Sequence, residues 1–182
     1  MKELSLNLLD VAQNSLTAGA TLVEIGVIAD TVGDLLTIYI KDNGSGMSEE
    51  QVKSVTDPFF TTRKTRKIGL GIPLFKLAAE QTGGSLDIES KLGVGTKTTA
   101  KFVLSSIDRM PLGNLKSTIT TLIGMNDETD FLYIEQLDDV KFELDTRQLK
   151  EILGDVPLST PDVMGWIYGY YDENSPFLNT TY

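Results

Sequence analysis

The sequence predicts an α+β two-layer sandwich, a mixed sheet with helices on one face, plus a small C-terminal α+β extension. Three observations carry this expectation. An amphipathic helical segment opens the 182-residue chain, and two alternating strands follow it directly. A second helical segment is then followed by another strand pair. Near residue 105 the composition shifts, and a further run of helix, hairpin and short helices begins.

Each element has its own signal. Residues 3–18 place Leu4, Leu8, Val11, Ala12 and Ser15 at three- and four-residue steps, the buried stripe of a helix. Gly19 stands where a left-handed cap would end it. Residues 21–28 and 35–40 alternate apolar and polar, which predicts two strands joined by residues 29–34. Residues 41–67 form a long polar stretch with short apolar interruptions. Residues 71–81 read as a helix with Ile72, Phe75, Leu77 and Ala78 among its buried positions, ended by Gly83-Gly84. Strands over 85–89 and 96–104 flank Gly93-Val94-Gly95.

The boundary near 105 is punctuated by Met110-Pro111-Leu112-Gly113. Residues 1–104 carry a net charge of −1, and residues 105–182 carry −9. The segment 1–104 is expected as one domain and 105–182 as an acidic extension. Within the extension, 115–123 reads as a helix, 131–136 and 140–144 as a hairpin around Asp138-Asp139, and 146–153 and 161–171 as short helices. Trp166, Tyr168, Tyr170 and Tyr171 are expected to pack on that hairpin as core. The tail from Asn174 onward is expected to fray.

Composition removes whole classes of function. With no Cys, there is no disulfide framework, zinc knuckle or thiol nucleophile. With no His, there is no Ser-His-Asp triad and no imidazole metal site. Any metal must take oxygen ligands, which points to a hard cation such as magnesium. The formal charge of −10 argues against a nucleic-acid partner. No apolar stretch reaches the roughly 18–20 residues that span a bilayer, and the first residues lack a signal-peptide pattern. Cytoplasmic residence without membrane attachment is the expectation.

Four short motifs carry chemistry. On the opening helix, Asp10, Asn14 and Thr17 share one face, presenting a carboxylate and a carboxamide that a hydrated magnesium ion accepts. Directly after the second strand comes Asp42-Asn43-Gly44-Ser45-Gly46, where glycines let backbone approach a ligand and the carboxylate accepts a hydrogen bond, for example from an adenine amine. Then Phe59-Phe60 precedes a run with Arg63, Lys64, Arg66 and Lys67, and Gly69-Leu70-Gly71 opens a helix. Amides at a helix start beside cations suit phosphate. This run is neither the GxxxxGK[ST] loop nor the GxGxxG fingerprint. The fourth motif is Gly93-Val94-Gly95-Thr96 between strands.

In this order and spacing the motifs resemble the ATP-binding domain shared by histidine kinases, gyrase, heat-shock 90 chaperones and mismatch-repair ATPases, the GHKL superfamily with its Bergerat fold. The resemblance covers about residues 2–104. Its N box falls on residues 10–20, its G1 box on 42–46, its F box on 58–60, its G2 box on 69–71 and its G3 box on 93–96. The resemblance implies that Asn14 coordinates the magnesium that bridges the phosphates. It implies that Asp42 binds the adenine amine, with Gly44 and Gly46 shaping that pocket and Thr96 beside it. Gly69, Leu70 and Gly71 would present amides to the triphosphate. Phe60 would belong to the nucleotide site, and residues 61–67 after it would form a lid, with Arg63, Lys64, Arg66 or Lys67 reaching phosphate.

Two departures from the family pattern set the expected activity. Asp10 stands where ATP-hydrolysing relatives place a water-activating glutamate, and is shorter by one methylene, about 1.5 Å, which slows hydrolysis. Thr17 stands where many histidine kinases carry a phosphate-contacting lysine. The resemblance therefore implies an ATP- and magnesium-binding protein acting as a kinase or slow ATPase on a protein partner, with no phosphoacceptor histidine among its own residues. The alternative is a non-catalytic, ATP-gated binding module of the anti-sigma type. Asp10 discriminates between them.

Overall fold

The computed structural model describes residues 3–56, 70–178 and 180. In chain order its elements are α1 (Leu4–Thr17), β1 (Leu22–Asp30), β2 (Leu35–Asp42), α2 (Glu49–Thr56), α3 (Gly71–Gln81), β3 (Ser85–Lys91) and β4 (Gly95–Val103). These are followed by α4 (Leu115–Gly124), β5 (Asp130–Leu137), β6 (Val140–Asp145), α5 (Thr146–Leu153) and α6 (Pro161–Asn174).

Alternation along the strands decides which face is covered. On β1, Val23, Ile25, Val27 and Ala29 are buried, and the register sets them opposite Asp42, Ile40, Ile38 and Leu36 of β2. The same rows continue through Thr98, Ala100 and Phe102 of β4. Against this face packs α1, with Leu4, Leu8, Val11, Ala12 and Ser15 all buried as their spacing predicts. Beside it, α3 inserts Phe75, whose ring lies 5.7 Å from that of Phe102. Each such fully buried side chain contributes about 1.5–3 kcal/mol by leaving water.

The sheet has six strands in the order β3-β4-β2-β1-β5-β6. Only β1 and β5 run parallel, so the sheet is mixed, as expected. The C-terminal hairpin β5–β6 continues the sheet of the first segment, through pairs from Leu22↔Asp130 to Ala29↔Leu137. Residue 105 therefore marks a change of composition within one continuous sheet.

Four sequence expectations need correction. A short helix, α2, forms inside the polar stretch, where only Val55 supplies a buried apolar side chain and periodicity is therefore weak. Leu77 is 50% exposed, because two residues on from Phe75 it points about 200° around the helix, and Ala79 takes the buried place. The aromatic cluster splits: Tyr171 is buried with Val163 and Ile167 at four-residue steps, while Trp166 stacks on Tyr170 and stays half exposed. The tail is anchored at its start, since Phe177 is buried and Ser175 is hydrogen-bonded to Glu135.

That last contact belongs to a buried cluster. Glu135 of β5 is fully buried and receives hydroxyls from Tyr133 at 2.6 Å, from Tyr171 and from Ser175. Tyr133 and Tyr171 also stack, with ring centroids 6.2 Å apart. Burial raises the Glu135 carboxyl above its ordinary 4.5, and the three hydroxyls oppose that shift. The cluster pins the end of α6 to the sheet.

Candidate functional site

Sheet register assembles the site before any side-chain contact is considered. Val23, Asp42, Thr96 and Ser90 stand side by side across β1, β2, β4 and β3, on the helix-covered face. Asp42 ends β2, so its carboxylate sits where the sheet stops and the chain turns.

Three donors fix that carboxylate. The Ser15 hydroxyl of α1 donates to Oδ2 at 2.6 Å. The Gly44 N–H and the Thr96 N–H donate to Oδ1 at 2.9 and 3.3 Å. A carboxylate offers about four lone-pair positions, so one remains for an outside donor such as an amine. The Thr96 hydroxyl is engaged with Ser90, 2.8 Å away, and Ser90 also accepts the Met47 N–H at 2.8 Å. Asn43 ties the turn to the start of β1, accepting from the N–H groups of Thr21 and Leu22.

Glycine is required where the turn meets the β3–β4 hairpin. Gly46 has φ of 65°, and a Cβ there would stand 2.0 Å from the Lys91 carbonyl oxygen. At Gly44 the nearest atom to a Cβ would be the Ala18 carbonyl oxygen at 2.9 Å, so the turn packs against the end of α1.

A second group gathers along α1. Asp10, Asn14 and Thr17 are exposed on one face, as their spacing predicts. Thr17 Oγ1 donates to the Gln13 carbonyl at 2.9 Å, back into its own helix. Gly71, the first residue of α3, lies against Asp10; a Cβ added to it would be 2.9 Å from the Asp10 Cβ. The N-cap of α3, Leu70, makes no side-chain cap bond, and the first turn holds no acidic residue. Leu74 bonds back to Leu70 at 3.0 Å, and Pro73 has no N–H. Gly71 and Ile72 open α3, so their N–H groups stand at the positive end of its dipole beside Asp10.

Asp42, Gly44, Gly46 and Thr96 are brought together; Gly71, which follows Leu70, meets Asp10, and Asn14 lies one turn further along α1. Phe60, Arg63, Lys64, Arg66, Lys67 and Gly69 lie outside the described residues. Among the described residues no three acidic side chains converge to cage a metal. The available donors are the Asn14 carboxamide and the Asp10 carboxylate. They fit a magnesium ion carried in with phosphates and keeping several waters, rather than an all-protein cage.

Ser15 lies in the apolar stripe of α1, and the stripe's period alone gives it no role. A buried hydroxyl in an apolar stripe needs a partner, and that was the available signal. A cavity of about 440 Å³ also opens near this end of the sheet. Its walls include Glu24, Lys41, Glu89 and Lys97, which register places on the face opposite the helices. The Asp42 hydrogen bonds, not this cavity, define the site.

Residues 1–106 match the family model described as histidine kinase-, DNA gyrase B- and HSP90-like ATPase. The chain belongs to this ATPase family. Sensor protein SrrB of Staphylococcus aureus (strain NCTC 8325) is 35% identical over 101 residues, covering 53% of this chain and 17% of that protein. A protein of Shewanella frigidimarina (strain NCIMB 400) is 37% identical over 103 residues, covering 56% of this chain and 16% of its own length. The chain thus spans about one-sixth of the length of these relatives. A solved structure, the N-terminal domain of a DNA repair protein, shares the fold with TM-score 0.54 and 14% identity, over 80% of this chain and 53% of its own. That coverage runs beyond the 106 residues of the family match. This GHKL ATPase domain has no helix among its described residues that is long and apolar enough to cross a membrane.

Proposed function

We propose that this GHKL domain binds ATP with magnesium between α1, the start of α3 and the end of the sheet, and acts as a kinase or slow ATPase on a protein partner. The observation that carries this reading is the Asp42 carboxylate, oriented by Ser15, Gly44 and Thr96 with one acceptor position left. An adenine amine suits that position. When bound, ATP supplies a phosphoryl group activated for transfer to water or to a protein hydroxyl or imidazole.

The residues divide the remaining work. Asn14 offers a neutral oxygen to the cation. The Gly71 and Ile72 amides face phosphate oxygens, where a helix start favours negative charge. Asp10, beside that helix start, takes a proton from the attacking nucleophile as general base. The 182 residues contain no histidine, so a histidine acceptor for phosphoryl lies outside them. The similarity to a sensor protein supports a role in signalling through such a partner. The charge of −10 supports a protein partner over nucleic acid.

The second reading is an ATP-gated binding module without turnover. It is favoured by Asp10 itself, one methylene shorter than glutamate. Labelled ATP incubated with the protein and its co-purified chains separates the readings. Label in a second chain indicates a kinase, free phosphate that Asp10→Asn abolishes indicates an ATPase, and binding without either indicates a switch.

A further inference from the structure

Asn7 is the one buried side chain among the described residues that leaves polar atoms unpaired; both its Nδ2 and Oδ1 lack a partner. It is 0% exposed. An unpaired buried amide group destabilises a fold by about 1–3 kcal/mol. Its position gives this defect a meaning. On α1 it precedes Asp10 by three residues and Asn14 by seven, so the three lie within about 60° of one another around the axis. Residues at a three-residue spacing have Cβ atoms about 5–6 Å apart, within reach of an Asn–Asp hydrogen bond. The Asp10 carboxylate is exposed and likewise makes no hydrogen bond among the described residues. The start of α3 closes over it at Gly71.

We propose that Asn7 is a positioning residue of the nucleotide site, donating Nδ2–H to the Asp10 carboxylate when a nucleoside triphosphate occupies the space before α3. This rests on the ATP-binding reading above. In the free protein, water solvates Asp10 and the Asn7 amide stays unpaired. A triphosphate displaces that water and brings its terminal phosphate toward a second anion. Unless a donor replaces the water, Asp10 opposes binding of that phosphate. Asn7 is the donor one turn away. Its effect is therefore largest on ATP and small on ADP, which lacks the third phosphate.

The test compares wild type, Asn7→Leu and Asn7→Ala for calorimetric affinities toward magnesium-ATP and magnesium-ADP, and for thermal midpoints without nucleotide. Leu keeps the branched shape without polar atoms, so its midpoint rises; Ala leaves a void, so its midpoint falls. Both variants are expected to lower the ATP-to-ADP affinity ratio about tenfold, in spite of opposite stabilities. A ratio unchanged in both overturns the proposal. So does a ratio that falls only in Asn7→Ala, which would assign Asn7 a packing role. If the wild type binds neither nucleotide, the ATP-binding reading fails and this inference with it. If it binds both and the variants match it, the inference alone fails.

Discussion

The Ser15 hydroxyl donates to Asp42 Oδ2 at 2.6 Å, joining the buried stripe of α1 to the last residue of β2. One contact thus links the packing of the first helix on the sheet to the direction of the carboxylate. Ser15→Ala removes one of three donors and leaves the Gly44 and Thr96 N–H groups in place. The expected result is a loss of about 1 kcal/mol in stability and a fivefold to tenfold weaker affinity for magnesium-ATP. Calorimetry and urea unfolding on the same protein check it. Unchanged affinity would show that the orientation of Asp42 is set elsewhere.

Gly46 tests the backbone half of the site. Its φ is 65°, and a Cβ added there would meet the Lys91 carbonyl oxygen at 2.0 Å, so Gly46→Ala forces the turn away from the β3–β4 hairpin. The expected destabilisation is about 1–3 kcal/mol, with weaker nucleotide binding in the folded fraction. A variant as stable as wild type, measured by thermal unfolding, would show that the turn relaxes freely.

Asn14 separates metal from nucleotide. Its carboxamide is exposed, so Asn14→Ala should change stability by less than about 0.5 kcal/mol. Affinity for ATP should fall about tenfold with magnesium present and stay nearly constant in EDTA. Equal losses under both conditions would remove Asn14 from the cation.

These residues also show how far the sequence alone reaches. Asp42, Gly46 and Gly71 were legible because strand ends, turns and helix starts each impose a local residue type. The stripe of α1 was legible from its period. Ser15 as a partner of Asp42 was not, because the contact spans 27 residues and depends on how α1 lies on β2. Nor was the parallel pairing of β1 with β5, which joins residues more than 100 apart and leaves no periodic trace. The short helix α2 escaped for a third reason, having only one buried residue to mark it. Glu135 looks like an ordinary charge in a hairpin until Tyr133, Tyr171 and Ser175 converge on it.

Glu135 makes a prediction about acidity. Its folded carboxyl binds a proton more tightly than the ordinary 4.5 of the unfolded chain. Its contribution is therefore fully present below pH 4.5 and is lost as pH rises from there through the raised folded value. Asp145, held below its ordinary 3.8 by Arg147, slopes the opposite way, so the quantity to follow is the difference between wild type and Glu135→Gln. Relative to the variant, wild type should lose stability across that window and run parallel to it above. Parallel curves throughout, from denaturant unfolding at stepped pH, would show that Glu135 does not titrate there.

Calorimetric titration of magnesium-ATP into wild type and Asp42→Asn puts the nucleotide site to its sharpest test. The oriented carboxylate predicts wild-type binding with a dissociation constant below about 1 mM. It predicts binding tenfold to a hundredfold weaker, by order of magnitude, in Asp42→Asn. Wild-type protein that takes up no ATP at millimolar concentration, or an Asp42→Asn variant that binds it equally well, would overturn the assignment of Asp42 to the nucleotide.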